Sequence, residues 1–363
     1  MKILTVVGAR PQFIKAAAIS RAVRDQYSNS IEEIIVHTGQ HHDENMSQIF
    51  FDELDIPKPK FNLEISGGGH GAMTGKMIEG IERVLLQERP DCLLIYGDTN
   101  STLAGAISAA KLHIPVAHVE AGLRSFNMQM PEEVNRILSD RISTLLFCPT
   151  KTAVENLSAE GIKNGVYQVG DVMYDVALFY RERAQKNSRI LSSLGLTNKS
   201  FALATCHRAE NTDDPDRLSS ILSAFSEIAK DLPLVLPLHP RTKKLIAENN
   251  LNSLLDSITV ADPLPFLDMI ALEQGAKMIL TDSGGVQKEA FFYNTPCITL
   301  RDETEWVETV SLGWNQLVGA DTRAIIRAVE KISLNANSAA QNTPYGNGDA
   351  SQEICQHLLK LIN

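Results

Sequence analysis

Short apolar runs that stop at a turn, each followed by a segment of helical pattern, recur along almost the whole chain. KILTVVG gives way to PQFIKAAAISRAVRDQ, EEIIVHTG to ENMSQIFFDEL, CLLIYG to STLAGAISAAKL, and PVAHVEA to EEVNRILSDRIS. A strand that feeds a helix returns parallel to itself, so this alternation predicts a mainly parallel sheet with helices on both faces. The loop NLEISGGGHG precedes a long helix over AMTGKMIEGIERVLLQERP. The series weakens across LLFCPTKTAVENLSAEGIKNGVYQVGDVMYD and restarts at FALATCH, with further strands LVLPLHP, SITVADP, MILTDSG and PCITLRD.

The chain has 363 residues, more than the roughly 250–300 that one hydrophobic core usually serves, so two domains are expected. Residues 1–168 form an N-terminal Rossmann-like domain and 169–345 a C-terminal one, while 346–363, ending in QEICQHLLKLIN, is a last helix packing back toward the first. The boundary lies in a region near 165–200, with a helix from about Val172 to Leu194 in the hinge. The fold class is α/β, two doubly wound domains facing a central cleft in the GT-B manner.

Charge and cysteines narrow the function. A formal net charge of −10, with no long basic stripe, argues against a nucleic-acid surface. No apolar run reaches the roughly eighteen residues that cross a bilayer, and the start, MKILTVVGAR, reads as a buried strand rather than a signal peptide. Cys92, Cys148, Cys206, Cys297 and Cys355 are scattered without a CxxC pair, mostly inside apolar stretches. They read as buried, reduced thiols of a cytoplasmic protein.

The chemistry gathers at strand ends. CLLIYG closes on Asp98 and IPVAHV on Glu120, and Glu132 and Glu133 follow in MPEEVNR. Ligands of open α/β sheets bind beyond the carboxyl ends of the strands, so these acids point to one pocket. Carboxylates held together are costly unless proton transfer or a cation uses them, which makes the chain readable as an enzyme. In TDSGGVQKEA, Ser283, Gly284 and Gly285 open a helix whose free amides suit a phosphate, and Glu289 is spaced to accept from ribose hydroxyls. VGARPQFIK is a strand-to-helix turn with Arg10 and Lys15 near a proline, suited to a diphosphate. Neither this turn nor SGGGHG has the spacing of a dinucleotide fingerprint, so no nicotinamide cofactor is expected, and the glycine cluster reads as a surface loop. His207 in ATCHRAEN and His239 in PLHPR follow apolar strands, beside Arg208 and Arg241, where each could bind phosphate or shuttle a proton. No histidine or cysteine spacing suits a metal, so none is expected.

From GARPQFIK through GDTNST, HVEAGLR, PEEVNR, CHRAEN, PLHPR, DSGGVQKEA and RDETE to YGNGDAS, the chain resembles the non-hydrolysing UDP-N-acetylglucosamine 2-epimerases. The resemblance covers nearly the full length. It implies a GT-B fold, usually a homodimer, acting on UDP-sugars for bacterial surface polysaccharides such as the lipopolysaccharide O-antigen. It also implies elimination of UDP to a 2-acetamidoglucal and re-addition on inversion of carbon 2, with no cofactor. By resemblance Asp98, Glu120 and Glu132 are the acid/base carboxylates and His207 the functional histidine. Arg10 and Lys15 lie near the sugar diphosphate, His239, Ser283, Gly284, Gly285 and Glu289 belong to the nucleotide site, and Arg301 and Glu305 flank the cleft. The first domain then handles the sugar and the second UDP.

Departures from the commoner family pattern GTRPEAIK are Ala9, Gln12 and Phe13. The stretch SFNMQM before PEE is shorter than usual, and QHHDENM keeps only Gln40 and His41 of the stretch tied to activation by a second substrate molecule. With ETEWVE around Glu305, these features resemble the subgroup acting on UDP-2,3-diacetamido-2,3-dideoxy-glucuronate, and both that uronate and UDP-N-acetylglucosamine stay open. A hydrolysing epimerase, a GT-B glycosyltransferase and a non-catalytic UDP-sugar binder are the alternatives.

Overall fold

The computed structural model of the chain describes residues 1–40, 55–334 and 344–361. The segment ENMSQIFFDEL, read as a helix, and His41 lie outside them. Contacts among the described residues group the chain into two compact units, Met1–Leu178 with Thr343–Asn363, and Phe179–Asn342.

The first unit is built on seven parallel strands: β1 (Lys2–Val7), β2 (Glu32–His37), β3 (Phe61–Asn62), β4 (Cys92–Tyr96), β5 (Val116–Val119), β6 (Leu145–Cys148) and β7 (Val166–Gln168), in the order β3-β2-β1-β4-β5-β6-β7. The second carries six parallel strands, β8 (Ala202–Thr205), β9 (Leu234–Pro237), β10 (Thr259–Ala261), β11 (Met278–Thr281), β12 (Cys297–Thr299) and β13 (Asn315–Leu317), in the order β10-β9-β8-β11-β12-β13. The central strands read LTVV, CLLIY, ALAT and MILT, apolar but for Thr5, Thr205 and Thr281 and buried on both faces, as helices on both sides of a parallel sheet require. Chain order reverses between β1 and β4 in the first sheet and between β8 and β11 in the second, and a crevice opens at such a switch point.

The helix expected from about Val172 to Leu194 is two, Val172–Asn187 and Ile190–Ser193. Ser188 ends the first: its hydroxyl donates to Asp268 at 2.5 Å and accepts from the Ile190 amide at 3.2 Å, taking the place of the next helical bond. The long helix before β4 runs His70–Glu88 and closes on Arg89, which is in the left-handed region with φ 46°. No helix among the described residues is long and apolar enough to cross a membrane.

Candidate functional site

In the first unit the switch point is closed by one amide. The Gln12 side chain accepts from the Gly8 and Ala9 amides at 2.8 and 3.1 Å and donates to the Tyr96 carbonyl and the Thr102 hydroxyl at 2.9 and 3.0 Å. It joins the turn after β1 to the turn after β4. A carboxylate could accept from the same two amides but has no proton for the Tyr96 carbonyl, so a glutamate in place of Gln12 could not make all four bonds.

Beyond β4 stands Gly97, with φ 61°. A Cβ there would sit 3.2 Å from the Lys15 ammonium and 3.9 Å from a Glu120 carboxylate oxygen. Lys15 and Glu120 are themselves ion-paired at 2.7 Å, with both side chains about nine-tenths buried. Glu120 adopts φ 70°, a left-handed backbone that costs a non-glycine residue on the order of 1–3 kcal/mol. Such strain at a buried charged side chain marks a site where position matters more than stability.

Asp98 follows Gly97 directly. Its carboxylate meets Arg136 at 2.5 Å, and its carbonyl accepts from the Asn135 side chain at 2.8 Å. Arg136 also holds Glu133 at 2.9 Å. Both Arg136 and Asn135 come from the helix Pro131–Ile142. Glu133 accepts from the Ser125 and Phe126 amides and so shapes the SFNMQM loop. Burial opposes its charge, but these amides and Arg136 outweigh that and hold it below the usual carboxylate range. Glu132, in the first turn of the same helix, is exposed and makes no side-chain ion pair among the described residues. Arg10 stands exposed at the start of the helix Arg10–Ala22. Lys15, Glu120, Gly97 and Asp98 thus lie together, with Arg10 and Glu132 on exposed helix starts.

In the second unit a carboxylate closes the switch point as Gln12 does in the first. Asp282, fully buried after β11, accepts from the His207 and Arg208 amides at 3.0 Å each and from the Asn211 side chain at 3.2 Å. It joins the turn after β8 to the start of the helix Gly284–Phe292, where Ser283 caps the Val286 amide. The His207 ring lies 3.6 Å from Asp282 and its side chain is 47% exposed. Desolvation holds the imidazole below its ordinary pKa against the pull of Asp282, with Arg208 and His239 adding to the lowering. A Cβ on Gly284 would come within 2.8 Å of Glu305 and 3.2 Å of the Trp306 indole nitrogen. Glu305 is ion-paired with buried Arg301 at 2.9 Å and lies 4.0 Å from Arg208. His207, Ser283, Gly284, Arg301 and Glu305 are therefore one cluster. Glu289 is half-buried farther along the helix, and His239 is exposed, its ring accepting from the Arg241 amide at 3.2 Å.

Asp282, Arg136 and Gln12 were not singled out from the sequence as holding the site together. Asp282 carries the same signal as Asp98, an acid at the end of an apolar strand. Arg136 and Gln12 carry none, because their roles depend on which strands become neighbours.

A family model described as UDP-N-acetylglucosamine 2-epimerase matches residues 24–359. A UDP-2,3-diacetamido-2,3-dideoxy-D-glucuronate 2-epimerase from Pseudomonas aeruginosa is 54% identical over 366 residues, covering 99% of this chain and 100% of that protein. The UDP-N-acetylglucosamine 2-epimerase of Methanocaldococcus jannaschii is 46% identical over 366 residues, covering 99% of each chain. A crystal structure of the M. jannaschii UDP-GlcNAc 2-epimerase in complex with UDP-GlcNAc and UDP superposes with a TM-score of 0.90 at 45% identity, covering 99% of this chain and 100% of that one. Two doubly wound parallel sheets place the chain in the GT-B fold class with that neighbour. With matches of this length and identity, the chain belongs to the UDP-N-acetylglucosamine 2-epimerase family, whose members are isomerases of UDP-linked sugars.

Proposed function

We propose that this protein inverts carbon 2 of a UDP-linked 2-acetamido sugar without hydrolysing it, and that its substrate is UDP-2,3-diacetamido-2,3-dideoxy-glucuronate. The observation that carries the reaction is the strained Glu120, paired with Lys15 directly against the turn that bears Asp98. The proton at carbon 2 has no adjacent carbonyl to acidify it, so its removal must be coupled to departure of UDP. Carboxylates fixed on two strand ends can take a proton from one face and return one from the other, and the glucal formed between these steps needs no redox cofactor. Asp98, Glu120 and Glu132 are the proposed proton carriers. Arg10 and Lys15 answer the charge on the diphosphate.

The second unit is proposed to hold UDP. Ser283, Gly284 and Gly285 present helix-start amides to phosphate, and Glu289 accepts from the ribose. His239, Arg301 and Glu305 complete that site, and His207, largely neutral near pH 7, can relay a proton. The uronate is favoured by the 54% identity to the P. aeruginosa enzyme and by the short SFNMQM stretch. Membership of the family supports a homodimer and a place in surface-polysaccharide synthesis. The buried free cysteines fit a reducing cytoplasm.

The test is proton NMR in deuterium oxide with each UDP-sugar separately. Deuterium at carbon 2, with a new manno signal still attached to UDP, is expected with the diacetamido uronate. Exchange of UDP-N-acetylglucosamine alone overturns the substrate, and free sugar overturns the non-hydrolysing course.

A further inference from the structure

The regular pairing of β4 with β5 ends at Tyr96 opposite Val119. The Gly97 amide makes one more bond, to the Val119 carbonyl at 3.0 Å. There β5 leaves its partner: Glu120 turns into the left-handed region, and its amide and that of Ala121 go to Phe147 of β6 at 3.1 Å. The Gly97 carbonyl is therefore left without a backbone partner on β5, at the point where Asp98 and Glu120 have to be held together.

A side chain supplies the missing rung. His118 is completely buried, and its Nε2 lies 2.7 Å from the Gly97 carbonyl while its Nδ1 lies 2.7 Å from Asp140. A carbonyl only accepts, so Nε2 donates to Gly97, and one proton lies between Nδ1 and Asp140. Asp140 also accepts from the Gly122 amide at 3.1 Å and from Arg124 at 2.7 Å, and Arg124 grips Glu160 with two bonds of 2.7 and 2.8 Å. The chain of contacts thus holds the carbonyl just before Asp98 and the amide two residues after Glu120.

We infer that His118 is a positioning residue for the epimerisation, its ring fixing the Asp98-bearing and Glu120-bearing strand ends against each other through Asp140. The inference rests on the proposed roles of those two carboxylates. Loss of the ring contact frees the Gly97 turn, which lies against the Lys15–Glu120 pair. The effect falls on the rate of proton transfer rather than on UDP binding, which the second unit is proposed to provide. Misplacement of about 1 Å can cost a reaction as much as 100-fold.

The experiment uses the full-length enzyme with His118→Phe, which keeps the bulk, and His118→Gln, which keeps a donor near the Nε2 position. Steady-state kinetics by NMR is paired with calorimetric titration of UDP. The expected result is a fall in kcat of about 10- to 100-fold in His118→Phe with KM and UDP affinity within about twofold, and partial recovery in His118→Gln. A folded His118→Phe with wild-type kcat overturns the inference, as does an equal loss of kcat and UDP affinity in both variants. Nitrogen-15 histidine spectra of the wild-type enzyme test it without any variant: the His118 Nε2 should carry a hydrogen-bonded proton, and a bare Nε2 overturns it. Absence of carbon-2 exchange in the wild type would instead sink the proposed reaction, while the UDP titration and ring spectra still report on His118.

Discussion

At the scale of single residues, two glycines test the roles proposed for the two units. Gly97→Ala forces a side chain into φ 61° and to within 3.2 Å of the Lys15 ammonium, disturbing the Lys15–Glu120 pair. Loss of about 1–2 kcal/mol of stability is expected, with turnover reduced and UDP affinity unchanged. Gly284→Ala has no such backbone strain, but its Cβ would press at 2.8 Å on Glu305, which Arg301 holds in place. UDP affinity should fall there, and calorimetry beside NMR kinetics tells the two outcomes apart. If Gly97→Ala weakened UDP binding as much as Gly284→Ala, the assignment of roles to the two units would be wrong. Much of this site was legible in the sequence, because an acid or Ser-Gly-Gly after an apolar run marks a strand end whatever the topology. What was not legible are the groups that tie strand ends together. The four bonds of Gln12 exist only once β1 and β4 are neighbours, though 84 residues separate Gln12 from Tyr96.

At the scale of elements, most of the alternation of strand and helix was readable, down to the three-residue β10 and β12, whereas the apolar β6 lies in the stretch where the series weakens. The strands β3, β7 and β13 read FN, VYQ and NQL, with no apolar run to mark them, and owe their form to the edge they join. The break at Ser188 was equally hidden, since its partner Asp268 lies 80 residues away. Helix Phe266–Gly275 contains a liability that only the fold creates: Glu273 is buried, and one of its carboxyl oxygens has no hydrogen-bond partner among the described residues. Burial, reinforced by the charge of Glu289, raises its pKa well above the ordinary value of 4.5. The folded state thus keeps the proton in the interval above 4.5 where the unfolded chain has released it. Unfolding gains that ionisation as pH rises, so this group makes the protein less stable at pH 8 than at pH 5. Glu273→Gln removes the titration. The variant should melt higher than wild type at pH 8, with the advantage shrinking toward pH 4.5. An advantage independent of pH would show that the carboxyl is not the cause.

At the scale of the whole molecule, the chain leaves the first unit near Leu178 and comes back to it for its last segment. One carboxylate holds the start of the returning helix. Asp175 accepts from the Ala350 and Ser351 amides at 3.2 and 2.8 Å and from the Ser351 hydroxyl at 2.6 Å, so it satisfies the start of the helix Ala350–Leu359. That helix packs on Arg10–Ala22, the helix that carries Lys15. Asp175→Ala leaves two amides at this buried helix start without their acceptor, at a cost of about 1–3 kcal/mol. The loss belongs to the first unit alone. UDP raises the melting of whatever binds it, so if the second unit holds UDP as proposed, adding UDP marks that unit's transition in a calorimetric scan. Asp175→Ala should lower the transition that UDP does not protect and leave the protected one in place. Should both move together by the same amount, the chain melts as one cooperative body and the returning helix stabilises all of it.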